Sequence, residues 1–214
     1  MVEFNARPEP DVPKEIITTA EQRSRRKERQ HNMTNSVNDY AGTYNIDASH
    51  SEIGFTARHA MVTKVRGNFG EFTGSASTKE NLEDAAINVE IDVASIDTGN
   101  ADRDGHLRTS DFFEVDKFPK ITFTSTAVEA NGEDGLKVTG DLTIKDVTKS
   151  VTIDFDFNGE VTDPWGMSRI GFEGATTINR KDFGLTWQTA LDGGGVLVSE
   201  KITLNFDVSA VKEA

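Results

Sequence analysis

The 214-residue sequence contains no cysteine, which excludes several kinds of site at once. Disulfide frameworks, zinc knuckles, iron–sulfur clusters and thiol nucleophiles all require that residue. The sequence also lacks a run of about 18 apolar residues, the length that a membrane-spanning helix needs. Near the N-terminus the apolar stretch EIITTA is short and the basic run RSRRKERQ follows it, the reverse of a signal peptide. We therefore expect a cytoplasmic protein with no stable membrane insertion.

Positive charge is also scarce, and the formal net charge is -13. The first 42 residues carry seven acidic and seven basic residues, so the whole acidic excess lies in residues 43–214. A surface of this sign repels phosphate backbones and anionic lipid headgroups. We therefore expect no nucleic-acid partner and no broad electrostatic docking on membranes.

The composition divides the chain into a tail and one domain. Residues 1–42 predict a polar tail, disordered or helical, because the charged run Thr19–His31 has no apolar stripe with which to dock. The five basic residues within Arg23–Arg29 leave open a partner-binding arm, and Met33 leaves open a later start of translation. Residues 43–214 predict a single folded domain.

From Thr43 onward, apolar and polar residues alternate with the period of half-buried β-strands. The main runs lie near Ser51, Thr63, Asp84, Lys120, Gly135, Lys149, Ser168 and Leu197, after a short run at Thr43–Asp47. The apolar parity flips at Gly70 and Glu71, which predicts a bulge. Short turns between the runs favour antiparallel neighbours. The pattern favours an all-β, eight-stranded antiparallel up-and-down barrel, although a two-sheet sandwich shows the same alternation.

One segment, Asp97 to Phe113, breaks the strand pattern and predicts a short helix across one end of the sheet. Asn100 is a suitable N-terminal cap, and Asp102 lies in the first turn. Asp104 and Arg108 are spaced to form an ion pair along the helix.

The histidines do not form an obvious metal or catalytic site. If the strand that contains Phe55 extends back to His50, then His50 and His59 lie on opposite faces, which a shared metal ion cannot accommodate. Ser51, His59 and Asp104 could be combined into a triad, but no nucleophile elbow supports one. No phosphate-binding glycine motif is present either. We expect no metal and no cofactor.

The predicted apolar face mixes large side chains with glycine and alanine. The small residues either relieve crowding in a packed core or leave a bore for one slender apolar ligand. Residue sizes alone do not decide between these two interpretations.

Four blocks of the sequence, spread from about Thr43 to Lys212, carry a resemblance to a known family. They are YNIDASHSEIGFTARH with VRGNFGEFTG, then SIDTGNADRDGHLRTSDFFEVDKFPKITFTST, VTGDLTIKDVTKSV and GFEGATTINRKDFGL. In this order they resemble the YceI family, a bacterial family of polyisoprenoid-binding, lipocalin-like barrels. The resemblance implies an extended eight-stranded antiparallel lipocalin-like β-barrel that holds an isoprenoid or similar long lipid in its pore, and it implies no catalytic reaction. It favours non-enzymatic binding, carriage or storage of a long-chain isoprenoid or quinone-like lipid, and it leaves a homodimer open.

We predict that the pore is lined by residues of the apolar strand face. These residues are Phe55, Ala57, His59, Phe69, Ile91, Phe123, Gly140, Leu142, Phe155 and Phe172. A charged head group would need local cations, for which the sequence offers Arg103, Arg108 and Arg169, with Arg180 as a fourth candidate.

Two other functions remain as alternatives. The first is an enzyme that acts on an isoprenoid lipid with His59, Asp104 and His106 as acid–base groups. The second is an interaction module with a solid barrel and a basic tail that recruits a partner.

Overall fold

A computed structural model of the protein describes residues 40–132, 134–191 and 195–213. All but residues 40–42 of the predicted tail lie outside these ranges. The described part contains eleven strands and one α-helix, α1 (Ala101–Arg108). The strands are β1 (Gly42–Ile46), β2 (Glu52–His59), β3 (Thr63–Phe69), β4 (Phe72–Thr78), β5 (Ala86–Asp92), β6 (Ile96–Asp97), β7 (Lys120–Ala130), β8 (Gly135–Ile144), β9 (Val147–Thr162), β10 (Ser168–Asn179) and β11 (Lys201–Lys212).

The eleven strands act as eight, because three pairs of short strands are each one interrupted strand. β1 and β2 form one interrupted strand, because both pair with β11. β4 and β3 form the next, because β4 pairs with β1 and β3 pairs with β2. β5 and β6 form the third, because β5 pairs with β4 and β6 pairs with β3. The order along the sheet is β1-β4-β5-β7-β8-β9-β10-β11, and the pairing of β1 with β11 closes it. All these pairings are antiparallel, so the predicted eight-stranded antiparallel barrel is confirmed and the sandwich is not formed.

The interruptions of the three paired strands lie side by side. β1 is separated from β2 by a 3-10 turn at Ala48–His50, and β5 from β6 by a 3-10 turn at Val93–Ser95. Between them, the β3–β4 strand is broken at Gly70 and Glu71, where the parity flip predicts a bulge. The Gly70 amide donates to the Ser95 carbonyl, and the Glu71 carbonyl accepts from the Asp92 amide. His50 therefore lies in a turn before β2 begins, so the strand does not extend back to His50 and the condition of the opposite-face argument is not met.

The helix forms where the sequence predicts it. The Asn100 side chain accepts a hydrogen bond from the Arg103 amide at 2.9 Å and caps the first turn. The predicted Asp104–Arg108 ion pair is wrong, because both side chains have other partners. Asp104 accepts hydrogen bonds from Thr98, and Arg108 donates to the backbone carbonyls of Ala94 and Ile96.

The barrel has a helix end, next to α1, and an opposite end that we call the tyrosine end after Tyr40 and Tyr44. A core of apolar side chains fills the helix end, where Phe112, Phe183 and Leu185 pack against the strand residues. Among the helices of the described residues, none is long and apolar enough to cross a bilayer. Two smaller core clusters, one around Leu136 and Val138 and one around Tyr44, pack toward the tyrosine end.

Candidate functional site

An elongated apolar cavity of about 210 Å3 lies inside the barrel. Every barrel strand from β1 to β11 contributes to it except β6. Both Leu136 and Ile144 of β8 line it, and they are separated by about 27 Å along the strand. For a strand tilt of about 40°, that corresponds to about 20 Å along the barrel axis. The cavity is therefore long enough for an extended chain.

The lining is almost entirely hydrocarbon. It comprises Tyr40, Tyr44, Ile46, Ile53, Gly54, Phe69, Ser75, Ala76, Ser77, Thr78, Leu82, Ala85, Ile87, Val89, Ile91, Ile121, Phe123, Val128, Leu136, Val138, Leu142, Ile144, Val151, Ile153, Phe155, Ile170, Phe172, Leu204, Phe206, Val208 and Ala210. None of these described lining residues has a charged side chain. The cavity thus suits an apolar group and offers no counter-ion for a charge.

The inward-facing glycines do not create the open space. A Cβ atom on Gly140 would lie 2.4 Å from the Phe123 ring, and one on Gly174 would lie 2.4 Å from the Phe155 ring. Each aromatic ring therefore lies directly over a glycine of the neighbouring strand, an arrangement that packs the ring against backbone. The idea that small residues open the bore is wrong for these positions, because the rings occupy the space that the missing side chains leave.

The structure divides the predicted pore residues into two groups. Phe69, Ile91, Phe123, Leu142, Phe155 and Phe172 line the cavity. Phe55, Ala57, His59 and Gly140 do not belong to the lining. Phe55 packs over Gly67 next to Phe69, in the core of the helix end, and His59 is exposed at the end of β2. That these residues contact a ligand stays a prediction.

Two of the predicted head-group arginines hold the connection beside the helix. Arg103 donates from Nε to the Thr98 hydroxyl at 2.7 Å and from Nη2 to the Thr98 carbonyl at 2.8 Å. Arg108 donates to the carbonyls of Ala94 at 3.0 Å and Ile96 at 2.8 Å. Both guanidinium groups thus bond the backbone at the helix end, and neither belongs to the cavity lining.

The other two arginines are also away from the cavity. Arg169 forms ion pairs with Asp47 at 2.5 Å and with Asp163 at 3.0 Å. Arg180 is buried at the helix end and donates to backbone carbonyls, including that of Ser199 at 3.0 Å. None of the four candidate arginines is therefore placed to meet a head group inside the cavity.

Comparison with known proteins identifies the family. The family model for the YceI-like domain matches residues 44–210. The chain belongs to the YceI-like family. A UPF0312 protein of Photorhabdus laumondii is 42% identical over 154 residues, which cover 71% of this chain and 80% of the relative. A UPF0312 protein of Vibrio parahaemolyticus is 41% identical over 146 residues, covering 67% of this chain and 77% of the relative.

Solved structures share the YceI-like fold. The Campylobacter jejuni YCEI protein matches with a TM-score of 0.62 and 30% identity, covering 73% of this chain and 90% of that one. Burkholderia cenocepacia BcnA matches with a TM-score of 0.67 and 23% identity, covering 77% and 98%. A polyisoprenoid binding domain from Saccharophagus degradans, implicated in plant cell wall breakdown, matches with a TM-score of 0.62 and 20% identity. The match covers 79% of this chain and 98% of that one. For the two structures at 23% and 20% identity, the likeness shows the fold alone.

The residues proposed for catalysis have separate partners in this YceI-like domain. The buried Asp104 carboxylate accepts hydrogen bonds from the amide and hydroxyl of Thr98. His106 Nε2 lies 2.8 Å from Asp111 Oδ2, and its ring packs edge-on against Trp187. His59 is exposed at the end of β2. Among the described residues, no three metal-binding side chains gather into a possible metal site. His59, Asp104 and His106 therefore share no hydrogen bond with one another in the described part of the chain.

Several lining residues of the tyrosine end, above all Tyr44, are not among the residues predicted from the sequence. Tyr44 lies in the quoted block YNIDASH and has the same strand parity as Ile46, which also lines the cavity. That parity was a usable signal. The sequence does not indicate how deeply the Tyr44 side chain is buried, because that burial depends on β4 and β11, which flank β1 in the YceI-like barrel.

The partners of Asp47 predict a contribution to stability that depends on pH. Hydrogen bonds from Ser49, Arg169 and His50 hold the pKa of the Asp47 carboxyl well below its usual range. A carboxyl group whose pKa is depressed by folding stabilises the protein above its unfolded-state pKa, near 4, and loses that effect as the pH falls toward the folded-state pKa. We therefore expect Asp47→Asn to destabilise the domain at about pH 7, and the difference from wild type to shrink below about pH 4.

Urea unfolding across this pH range measures the effect. Asp141→Asn, at an exposed carboxyl on β8, serves as the control and is expected to shift stability by less than about 0.5 kcal/mol. A difference between wild type and Asp47→Asn that stays constant from neutral to acidic pH would contradict the assignment.

Proposed function

We propose that this YceI-like domain binds a long-chain isoprenoid or similar amphiphilic lipid in the barrel cavity, and that it carries or stores the lipid without chemical change. The observation that carries the proposal is the elongated cavity with an uncharged, apolar lining. A structural neighbour described as a polyisoprenoid binding domain supports it by analogy of fold. The rings of Phe69, Phe123, Phe155 and Phe172 are the proposed contacts along the chain.

The energetics of burial are sufficient for such a function. Each buried methylene group contributes about 0.8 kcal/mol, so one five-carbon isoprene unit contributes up to about 4 kcal/mol before ordering costs. Micromolar affinity corresponds to about -8 kcal/mol, which two or three well-buried units supply. Lipid binding therefore needs no catalytic machinery.

The direct test is native mass spectrometry of protein purified without detergent. We expect a mass adduct whose extracted lipid is an isoprenoid or a similar long-chain amphiphile. Repeated isolation of unliganded protein that also takes up no polyprenol or prenylquinone would contradict the proposal.

Filling the cavity should abolish binding. Val138 is 1% exposed and faces the cavity from β8, so Val138→Trp places a large ring in the path of the ligand. We expect at least a tenfold loss of lipid affinity, with a destabilisation of about 1–3 kcal/mol from overpacking. Fluorescence titration with a polyene lipid measures the affinity.

Lys137→Trp is the matched control, because the neighbouring side chain on the same strand is exposed on the outer face. It adds the same ring outside the barrel and should leave lipid affinity unchanged. Equal affinity of both variants for the lipid would place the binding site elsewhere.

A further inference from the structure

Tyr44 carries a polar atom that the fold leaves without a partner. The residue is 2% exposed, and its side chain lines the otherwise apolar cavity. Among the residues that the structure describes, its hydroxyl is the one buried side-chain nitrogen or oxygen that has no hydrogen-bond partner. Buried polar groups are almost always hydrogen-bonded, so an exception inside a cavity points to a partner supplied by a ligand.

Packing holds the Tyr44 ring in this position. β1 lies between β4 and β11, where Tyr44 pairs with Ala76 and Lys212. The ring packs in one cluster with Ile170 and Ala210, and the Lys212 ammonium lies 5.7 Å from its centroid. A ring enclosed in this way cannot turn its hydroxyl to solvent without disturbing three strands.

The surroundings of Tyr44 favour an uncharged ligand group. Burial raises the pKa of the Tyr44 phenol, and the negative charge of Glu160 raises it further, so the hydroxyl keeps its proton at neutral pH. Glu160 pairs with the cavity-lining Ile170, so the two side chains share a face of the sheet. A proton donor near a carboxylate suits a neutral oxygen and disfavours an anion.

No cationic side chain belongs to the described lining of the cavity, and Lys212, whose ammonium lies over the Tyr44 ring, is an exposed residue outside that lining. Arg103, Arg108 and Arg180 bond backbone at the helix end, and Arg169 is paired with two aspartates. A buried phosphate charge without a counter-ion is strongly disfavoured. The head group and the hydrocarbon chain are thus expected to share one uncharged cavity.

We infer that the Tyr44 hydroxyl hydrogen-bonds an uncharged oxygen, a carbonyl or a hydroxyl, of the bound lipid, and that the barrel selects neutral isoprenoids over isoprenoid diphosphates. This inference rests on the proposed lipid-binding function. Tyr44 is in this view a specificity-determining residue at the tyrosine end of the cavity.

The test compares four probes with the same geranylgeranyl chain: the alcohol, a quinone that carries the chain, the diphosphate and the corresponding hydrocarbon. Affinities are measured for the wild-type full chain and for Tyr44→Phe. We expect the wild-type protein to prefer the alcohol or the quinone to both other probes. In Tyr44→Phe the affinity for the preferred neutral probe should fall about fivefold to tenfold, or about 1–1.4 kcal/mol, while the affinity for the hydrocarbon stays the same.

Two controls separate this effect from damage to the fold. Tyr44→Phe removes only an unpartnered oxygen, so its melting temperature should equal or exceed that of the wild type. Thr78→Val removes another hydroxyl from the lining, but that hydroxyl already donates to the Lys79 carbonyl at 2.9 Å. Thr78→Val should therefore leave the order of the four affinities unchanged.

The outcomes distinguish the two levels of the proposal. Tighter binding of the diphosphate than of the neutral probes, or equal affinities of the wild type and Tyr44→Phe for all four, overturns the role of Tyr44 while lipid binding stands. Failure of the wild type to bind any probe overturns the proposed function and the role of Tyr44 together.

Discussion

Phe183→Ala is expected to lower the free energy of unfolding by about 3–5 kcal/mol. Phe183 is 2% exposed and lies in the core cluster at the helix end, among strand residues and side chains that follow α1. Removing the ring deletes buried apolar area and leaves a cavity that close-packed neighbours fill only in part. Urea unfolding monitored by circular dichroism measures the loss.

The matched control for this truncation is Val62→Ala. Val62 is 79% exposed in the turn between β2 and β3, so its loss should change stability by less than about 0.5 kcal/mol. If Phe183→Ala cost no more than Val62→Ala, the helix end would not be a packed core.

Arg180→Met is expected to cost about 3 kcal/mol and to lower the melting temperature by about 6–12 °C. Arg180 is 4% exposed and donates to the carbonyls of Ser199, Leu185 and Val198. Burial lowers its pKa from the usual arginine value, while the nearby Glu200 carboxylate opposes that effect. A methionine of similar length keeps the packing but leaves these buried carbonyls without their donors.

Lys181→Met is the control for the charge, since the neighbouring Lys181 pairs with Glu200 at the surface. Exposed ion pairs contribute about 0–1 kcal/mol, so this variant should melt close to the wild type. A Tm loss shared equally by both variants would show that net charge, not carbonyl capping, is responsible. Calorimetry at one protein concentration suffices for the comparison.

Arg180 and Phe183 both lie in the block INRKDFGL, and the local structure of that block explains why both are buried. Asn179 caps the 3-10 turn Arg180–Phe183 by accepting from the Lys181 amide, and Gly184 ends it with a φ of 76°, a conformation that glycine adopts at little cost. The turn directs Arg180 and Phe183 into the helix end together. The resemblance located this block, but the sequence pattern did not indicate that its arginine serves the backbone.

The architecture could be predicted because strand periodicity reports directly which face of a sheet a residue occupies. The burial pattern of β8, in which Leu136 and Val138 are buried around exposed Lys137, is the alternation read from the sequence. The break at Gly70 and Glu71 was visible for the same reason, since an extra residue inverts the parity.

The cavity itself could be predicted only in part, because parity gives the face but not the height along the barrel. Phe55 and Phe155 both face a glycine of the neighbouring strand. Only Phe155 lines the cavity, whereas Phe55 packs in the core of the helix end. That difference is set by the side chains around α1, which join the strands through contacts distant in sequence.

The arginines show a second limit of sequence reasoning. A guanidinium group can bond carboxylates, anionic head groups and backbone carbonyls, so residue type alone does not identify the acceptor. The two aspartates that pair with Arg169 come from different strand connections, and the carbonyls that Arg108 bonds come from a strand interruption. Only the fold brings those partners within reach.

Arg108 has a consequence for self-association. β6 is the last strand in the sheet order and pairs with β3 alone among the described strands, so its far side would present bare backbone acceptors. Exposed strand edges of this kind are templates for pairing with another chain and start aggregation. By bonding the Ala94 and Ile96 carbonyls with a charged group, Arg108 occupies that edge. A strand from another chain would have to displace this guanidinium group before it could pair there.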